Sequence, residues 1–95
     1  MARARFLGIV RDWMRRSSLK AEADTLSDVL QVMRENGGWR FEEKAILPGG
    51  RTIPELEFLV NGRNARFLHG LGTALKPEDD VVVFIHRSWA EVPFM

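Results

Sequence analysis

Leu56-Glu57-Phe58-Leu59-Val60-Asn61-Gly62-Arg63-Asn64-Ala65-Arg66-Phe67-Leu68 is an apolar run, an Asn-Gly pair and a second short run. An apolar segment ending in such a turn signal predicts a strand that enters a tight reversal. Asparagine and glycine tolerate the positive φ that this turn demands. Leu68–Asp80 then makes a polar connection that contains glycines and Pro77. Val81-Val82-Val83-Phe84-Ile85 follows, and it is the strongest strand signal in the chain. These segments together predict the second half of a small β-rich domain.

The first half is read outward from there. Ala2–Val10 alternates, with Ala4, Phe6, Gly8 and Val10 on the expected core side and Arg3, Arg5, Leu7 and Ile9 on the other. Gly8 inside a strand suggests a close backbone approach. Arg11-Asp12 starts a turn, and Trp13–Ala23 is expected to return as the second strand of a hairpin. Thr25–Asn36 is the clearest helix. Asp24 or Thr25 can cap it, and Asp28 places a negative charge in its first turn. Leu26, Val29, Leu30 and Met33 form its apolar face, and Gly37 ends it. Trp39–Ile53 reads either as a short helix or as an irregular flap, closed by the Pro48-Gly49-Gly50 turn. Phe6, Val29, Leu30, Val60, Val82 and Phe84 are the expected core.

Ninety-five residues suffice for one domain, and a domain this small has a modest core. There is no cysteine, which suits a reducing compartment. No apolar run approaches the roughly 20 residues of a membrane span, so no membrane association is expected and the protein is read as cytoplasmic. Charge is uneven. Arg3, Arg5, Arg11, Arg15, Arg16 and Lys20 stand against Asp12 in residues 1–20, a local +5, and the whole chain is +1. The remainder therefore carries −4. A basic segment of this kind suits an acidic partner or, less readily, nucleic acid, and it also suits a solvated strand pair.

Nothing in the chain assembles a catalytic constellation. His69 and His86 lie in different segments without metal-ligand spacing. Ser17, Ser18, Ser27 and Ser88 lack a nucleophile-elbow context. Glu42-Glu43 and Asp79-Asp80 are adjacent pairs whose side chains diverge. Gly37-Gly38 and Gly49-Gly50 lack the Lys-Ser/Thr of a phosphate loop. No enzyme activity, no cofactor and no metal site are expected.

Leu59-Val60-Asn61-Gly62-Arg63, the Leu75–Val81 turn and the Phe84 strand resemble the closing half of the MoaD/ThiS family of ubiquitin-like sulfur carriers. Arg5–Asp12 is similar to that family's first strand, and Ala23–Leu30 to the start of its helix. The resemblance covers nearly the whole chain. It implies an α+β, ubiquitin-like β-grasp fold: a mixed sheet of four to five strands, the last strand beside the first and parallel to it, with one main helix across one face. It divides the chain into a β-grasp domain at residues 1–87 and a tail at 88–95. It also implies a role in molybdopterin, tungstopterin or other sulfur transfer.

Two features shape the expected function. Leu7, Ile9, Val83 and Ile85 all face away from the expected core, and on neighbouring strands they would form an apolar patch on the helix-free side. Such patches mark partner sites; burial under the Trp39–Ile53 flap, by Trp39 or Phe41, is the alternative. Positions matching Leu7 and Ile85 in the family belong to the surface that docks on the activating enzyme. Family sulfur carriers end in Gly-Gly, because an extended tail must thread a narrow channel that admits only residues without side chains. This sequence ends His86–Met95, and its last glycine, Gly72, precedes the final strand. Trp89, Val92 and Phe94 roughly alternate in the tail and are expected anchors, either on a partner or folded back on the domain. The expected protein is a non-catalytic binding module without a thiocarboxylate tail. Its partner would be an activating-enzyme-like protein or a molybdopterin synthase large subunit, and the same apolar face would also serve self-association. The alternative is a molybdopterin synthase small subunit with an atypical terminus.

Overall fold

A computed structural model describes residues 1–86. In chain order these form β1 (Ala2–Phe6), α1 (Gly8–Met14), β2 (Ser18–Ala21), α2 (Leu26–Asn36), α3 (Gly38–Ala45), β3 (Leu56–Val60), β4 (Arg63–Asn64) and β5 (Asp80–Ile85). Two 3-10 turns, Ala65–Phe67 and Gly70–Gly72, lie between β4 and β5. The strand order is β2-β1-β5-β3-β4. β5 runs parallel to β1 at the sheet centre, and the other neighbours are antiparallel. This is the β-grasp arrangement.

The chain between β1 and β2 differs from the expected hairpin. Gly8 takes φ +57 and starts a helix, and a Cβ there would meet nothing within 4 Å, so no close approach explains it. Val10 and Met14, one helical turn apart, are buried on the inner side of α1. Arg15 closes this helix in the left-handed region at φ 61 and donates its N–H to the Arg11 carbonyl. The second strand is correspondingly short, four residues rather than the expected Trp13–Ala23.

α2 forms where expected. Thr25 accepts from the Asp28 N–H, and the Asp28 carboxylate accepts from the Thr25 N–H, a capping box at the start of the helix. Such a cap stabilises by about 1 kcal/mol. Leu26, Val29, Leu30 and Met33 face the sheet. Trp39–Ile53 resolves into α3 and a β-bridge between Ile46 and Thr52. Phe41 is fully buried, whereas Trp39 is 63% exposed with the Arg40 guanidinium 4.7 Å from its ring centre. Arg34 and Glu42 clamp α2 to α3 through two hydrogen bonds, at 3.0 and 2.7 Å. Their hydrogen bond holds the Glu42 carboxyl below its ordinary range and Arg34 above its own.

Three helices, rather than one, therefore pack on the same side of the sheet. The core is made by Phe6, Leu26, Val29, Met33, Phe41, Val81 and Val83, each at most 2% exposed. Full burial of a side chain of this size contributes about 1.5–3 kcal/mol. Val82 and Phe84 are not part of it. Parallel pairing sets Phe6 opposite Val83 and Ala4 opposite Val81, so the inner side of β5 is Val81 and Val83. Val82 and Phe84 point to the opposite face and are half-buried.

Candidate docking surface

The helix-free face is built from alternate residues of the strands. Arg3 and Arg5 come from β1, Val82 and Phe84 from β5, and Glu57 and Leu59 from β3. Arg5 reaches along β5 to Asp80, with Nε 3.2 Å and Nη2 2.8 Å from its two carboxylate oxygens. Both groups are well solvated, so the pair contributes less than about 1 kcal/mol and acts by fixing position. It holds one charged margin beside the apolar strip of Leu59, Val82 and Phe84.

Glu57 builds the other margin. It is only 6% exposed. Its Oε2 accepts from Arg66 Nη2 at 2.7 Å and its Oε1 from Asn64 Nδ2 at 3.4 Å. A buried carboxylate requires such partners. Here they draw the Ala65–Phe67 turn onto β3, and Phe67 is left 80% exposed on that turn. Nothing in the sequence singles out Glu57, which sits inside an apolar run, or Phe67, which resembles any strand aromatic.

The four residues expected to form one patch separate. Val83 is fully buried on the helix side, which corrects its assignment to a partner surface. Ile85 shares that side and is half-buried against the core. Leu7 and Ile9 are 52% and 46% exposed, but Leu7 is the extended residue that caps α1 and Ile9 lies in the first turn of that helix, so neither belongs to a strand. They stand at the end of the sheet where β5 finishes. Leu7 donates its N–H to the Val83 carbonyl at 3.1 Å, and His86 donates to the Glu55 carbonyl at 2.7 Å. Residues 87–95 continue from that corner; the expected anchors Trp89, Val92 and Phe94 lie outside the described residues. Among the described residues no three His, Asp or Glu side chains converge as metal ligands.

The parallel pairing of first and last strands, with helices on one side only, defines a ubiquitin-like β-grasp protein. No protein-family model matches the sequence, and no curated protein matches it. Solved structures do match. Small archaeal modifier protein 1 from Methanosarcina acetivorans superposes with a TM-score of 0.79 at 20% identity, covering 92% of this chain and 93% of that one. Mycobacterium tuberculosis CysO, described as an antigen, gives 0.75 at 24% identity, covering 92% and 100%. The Amycolatopsis orientalis BexX/CysO complex gives 0.73 at 17% identity, covering 93% and 98%. At these identities the likeness is one of fold.

Proposed function

We propose that this chain is a non-catalytic, ubiquitin-like binding module of MoaD/ThiS type that docks on a partner protein. The observation that carries this reading is the grouping at one corner of the sheet. Leu7 and Ile9 are exposed large apolar side chains, and the chain leaves β5 beside them. Exposed apolar groups at such a site contribute to association by leaving water. The likeness to a modifier protein, and to one partner of a solved complex, supports a protein as the ligand. The partner class is an activating-enzyme-like protein or a synthase large subunit of the molybdopterin type.

The test pairs binding with chemistry. Leu7→Asp together with Ile9→Asp should abolish binding to an activating enzyme of this class, because the charges would enter a desolvated contact. Both sites are exposed, so the melting temperature should hold. Undiminished binding by this variant would remove the proposed corner. Mass spectrometry after incubation with that enzyme and ATP should show an unchanged chain. An adenylate or thiocarboxylate would instead place the protein among the sulfur carriers, with an atypical terminus.

A further inference from the structure

The sheet has two edges, and they differ. β4 is two residues long, and the Ala65–Phe67 turn follows it at once. β2 is four residues long, and among the described residues no strand lies beyond it. Its outward groups follow from its register. Phe6 donates its N–H to the Ser17 carbonyl at 2.9 Å, which makes Phe6 and Ser17 a hydrogen-bonded pair. Bonded and non-bonded pairs alternate along an antiparallel ladder. Ala4–Leu19 and Ala2–Ala21 are therefore bonded, and Arg5–Ser18 and Arg3–Lys20 are not. The N–H and C=O groups of Ser18 and Lys20 point away from β1, and no other group among the described residues takes them.

Charge is concentrated along this same edge. The side chains of Ser18 and Lys20 lie on the helix-free face beside Arg5 and Arg3. Arg5 is held by Asp80, but Arg3, Arg16 and Lys20 form no ion pair among the described residues. Immediately before β2, Arg11, Arg15 and Arg16 line one shallow concavity with Asp12 and Ser17. Three arginines and a single aspartate thus share that concavity.

We infer that the free edge of β2 binds an extended acidic segment of a partner protein by strand addition. The outward groups are donors and acceptors in alternation, which a peptide backbone satisfies and a nucleic-acid phosphate, an acceptor only, does not. A second copy of β2 would bring like charges together, and an edge lysine opposes such pairing. An acidic strand meets neither obstacle. Its backbone would extend the ladder, and its alternate side chains would meet Lys20 and Arg3 on one face. The edge is separate from Leu7 and Ile9, and its occupancy does not depend on the docking proposed there.

The experiment uses the full chain and a fluorescein-labelled octapeptide of alternating glutamate and valine. Fluorescence anisotropy should report binding that weakens with salt. Amide hydrogen exchange at Ser18 and Lys20 should slow in the complex. The same peptide with alternate backbone nitrogens methylated should fail to bind, as should its lysine-for-glutamate counterpart. Lys20→Glu should weaken binding at least about tenfold, since it sets like charges against each other, at unchanged melting temperature. Ser18→Pro removes one outward donor at the strand's first residue, where proline is tolerated, and should also weaken it. If that variant fails to fold, the methylated peptide and Lys20→Glu still decide. No binding, equal binding of the methylated peptide, or tighter binding of an oligothymidylate of equal charge would overturn the inference. So would slow exchange at Ser18 and Lys20 in the free protein, because the edge would already be filled.

Discussion

Asn61 donates its side-chain amide to the Asp79 carboxylate at 2.9 Å, joining the β3–β4 turn to the turn that launches β5. The same side chain accepts from the Asp80 N–H at 2.9 Å, and the Asn61 N–H donates to the Asp80 carbonyl at 2.8 Å. Asn61 holds φ 51 and Gly62 φ 85, the double positive-φ geometry of a tight hairpin turn. One residue thus serves the turn and the entry of the central strand. Asn61→Ala should cost about 2 kcal/mol, part from lost hydrogen bonds and part from a left-handed conformation that alanine resists. Asn61→Gly keeps the backbone and loses only the bonds, so its urea midpoint should fall between wild type and Asn61→Ala. Equal midpoints for the two variants would mean that the left-handed conformation contributes nothing, and an Asn61→Gly midpoint equal to wild type would mean the same of the side-chain bonds.

Asp79 also makes the fold sensitive to acid. Its Oδ2 accepts from the Lys76 N–H at 2.8 Å. That bond first, and the Asn61 amide second, hold its carboxyl below the ordinary aspartate range. A carboxyl depressed in the folded state stabilises the protein above its unfolded pKa. That contribution is lost as pH falls through the folded value. Stability should therefore decline below about pH 4, the ordinary aspartate value. Asp79→Asn keeps an acceptor for Lys76 but cannot titrate, so its stability should fall less steeply in that range. Urea titrations at several pH values from neutral to acid would check this; parallel curves for the two proteins would refute it.

Much of this fold is legible in the residues, and the parts that are not share a cause. The Asn61-Gly62 turn, the Thr25–Asp28 cap and the alternation of Ala2, Ala4 and Phe6 each contain a local rule that only one structure satisfies. Segment α1 is too short for such a rule. Val10 and Met14 are its one buried pair, and seven residues are marginal as a helix without tertiary support. The phase of β5 is hidden for a different reason. Five consecutive apolar residues look alike from either side, so parity is decided by pairing with Phe6 and not by the strand itself. Placing Val82 and Phe84 inward takes one of the two phases that such a run allows, and the register with β1 selects the other. Glu57 and Phe67 depend on a contact across nine residues that no local pattern reports.

The parity of β5 gives a direct test. Val83 is fully buried opposite Phe6, while Phe84 is half-exposed on the helix-free face. Val83→Asp would bury an unpaired charge and should prevent folding. Phe84→Asp should leave a folded chain. Among truncations, Phe6→Ala should cost about 3–5 kcal/mol, and Phe84→Ala clearly less. Circular dichroism and urea melts would separate the pairs. A larger loss at Phe84 than at Phe6 would restore the opposite phase.

Gly37 is where three helices meet, and its lack of a side chain has a steric cause. A Cβ there would lie 2.7 Å from Met14 Sδ, 2.8 Å from the Met33 carbonyl oxygen and 2.8 Å from Phe41 Cβ. Its φ is −86, so no backbone restriction demands glycine. The Met14 thioether can turn aside. The Met33 carbonyl cannot, because it accepts the Gly37 N–H at 2.7 Å. Phe41 is fully buried and has nowhere to retreat. Overpacking at such a junction costs about 1–3 kcal/mol, which exceeds the roughly 0.4–1 kcal/mol that a glycine-to-alanine change returns by restricting the unfolded chain. Gly37→Ala should therefore melt below wild type. Gly72→Ala is the control: it is exposed, with nothing within 4 Å of the added carbon and no positive φ, and it should be neutral or slightly stabilising. A Gly37→Ala variant that melts at or above the Gly72→Ala protein would mean that α1, α2 and α3 do not close on one another at this point.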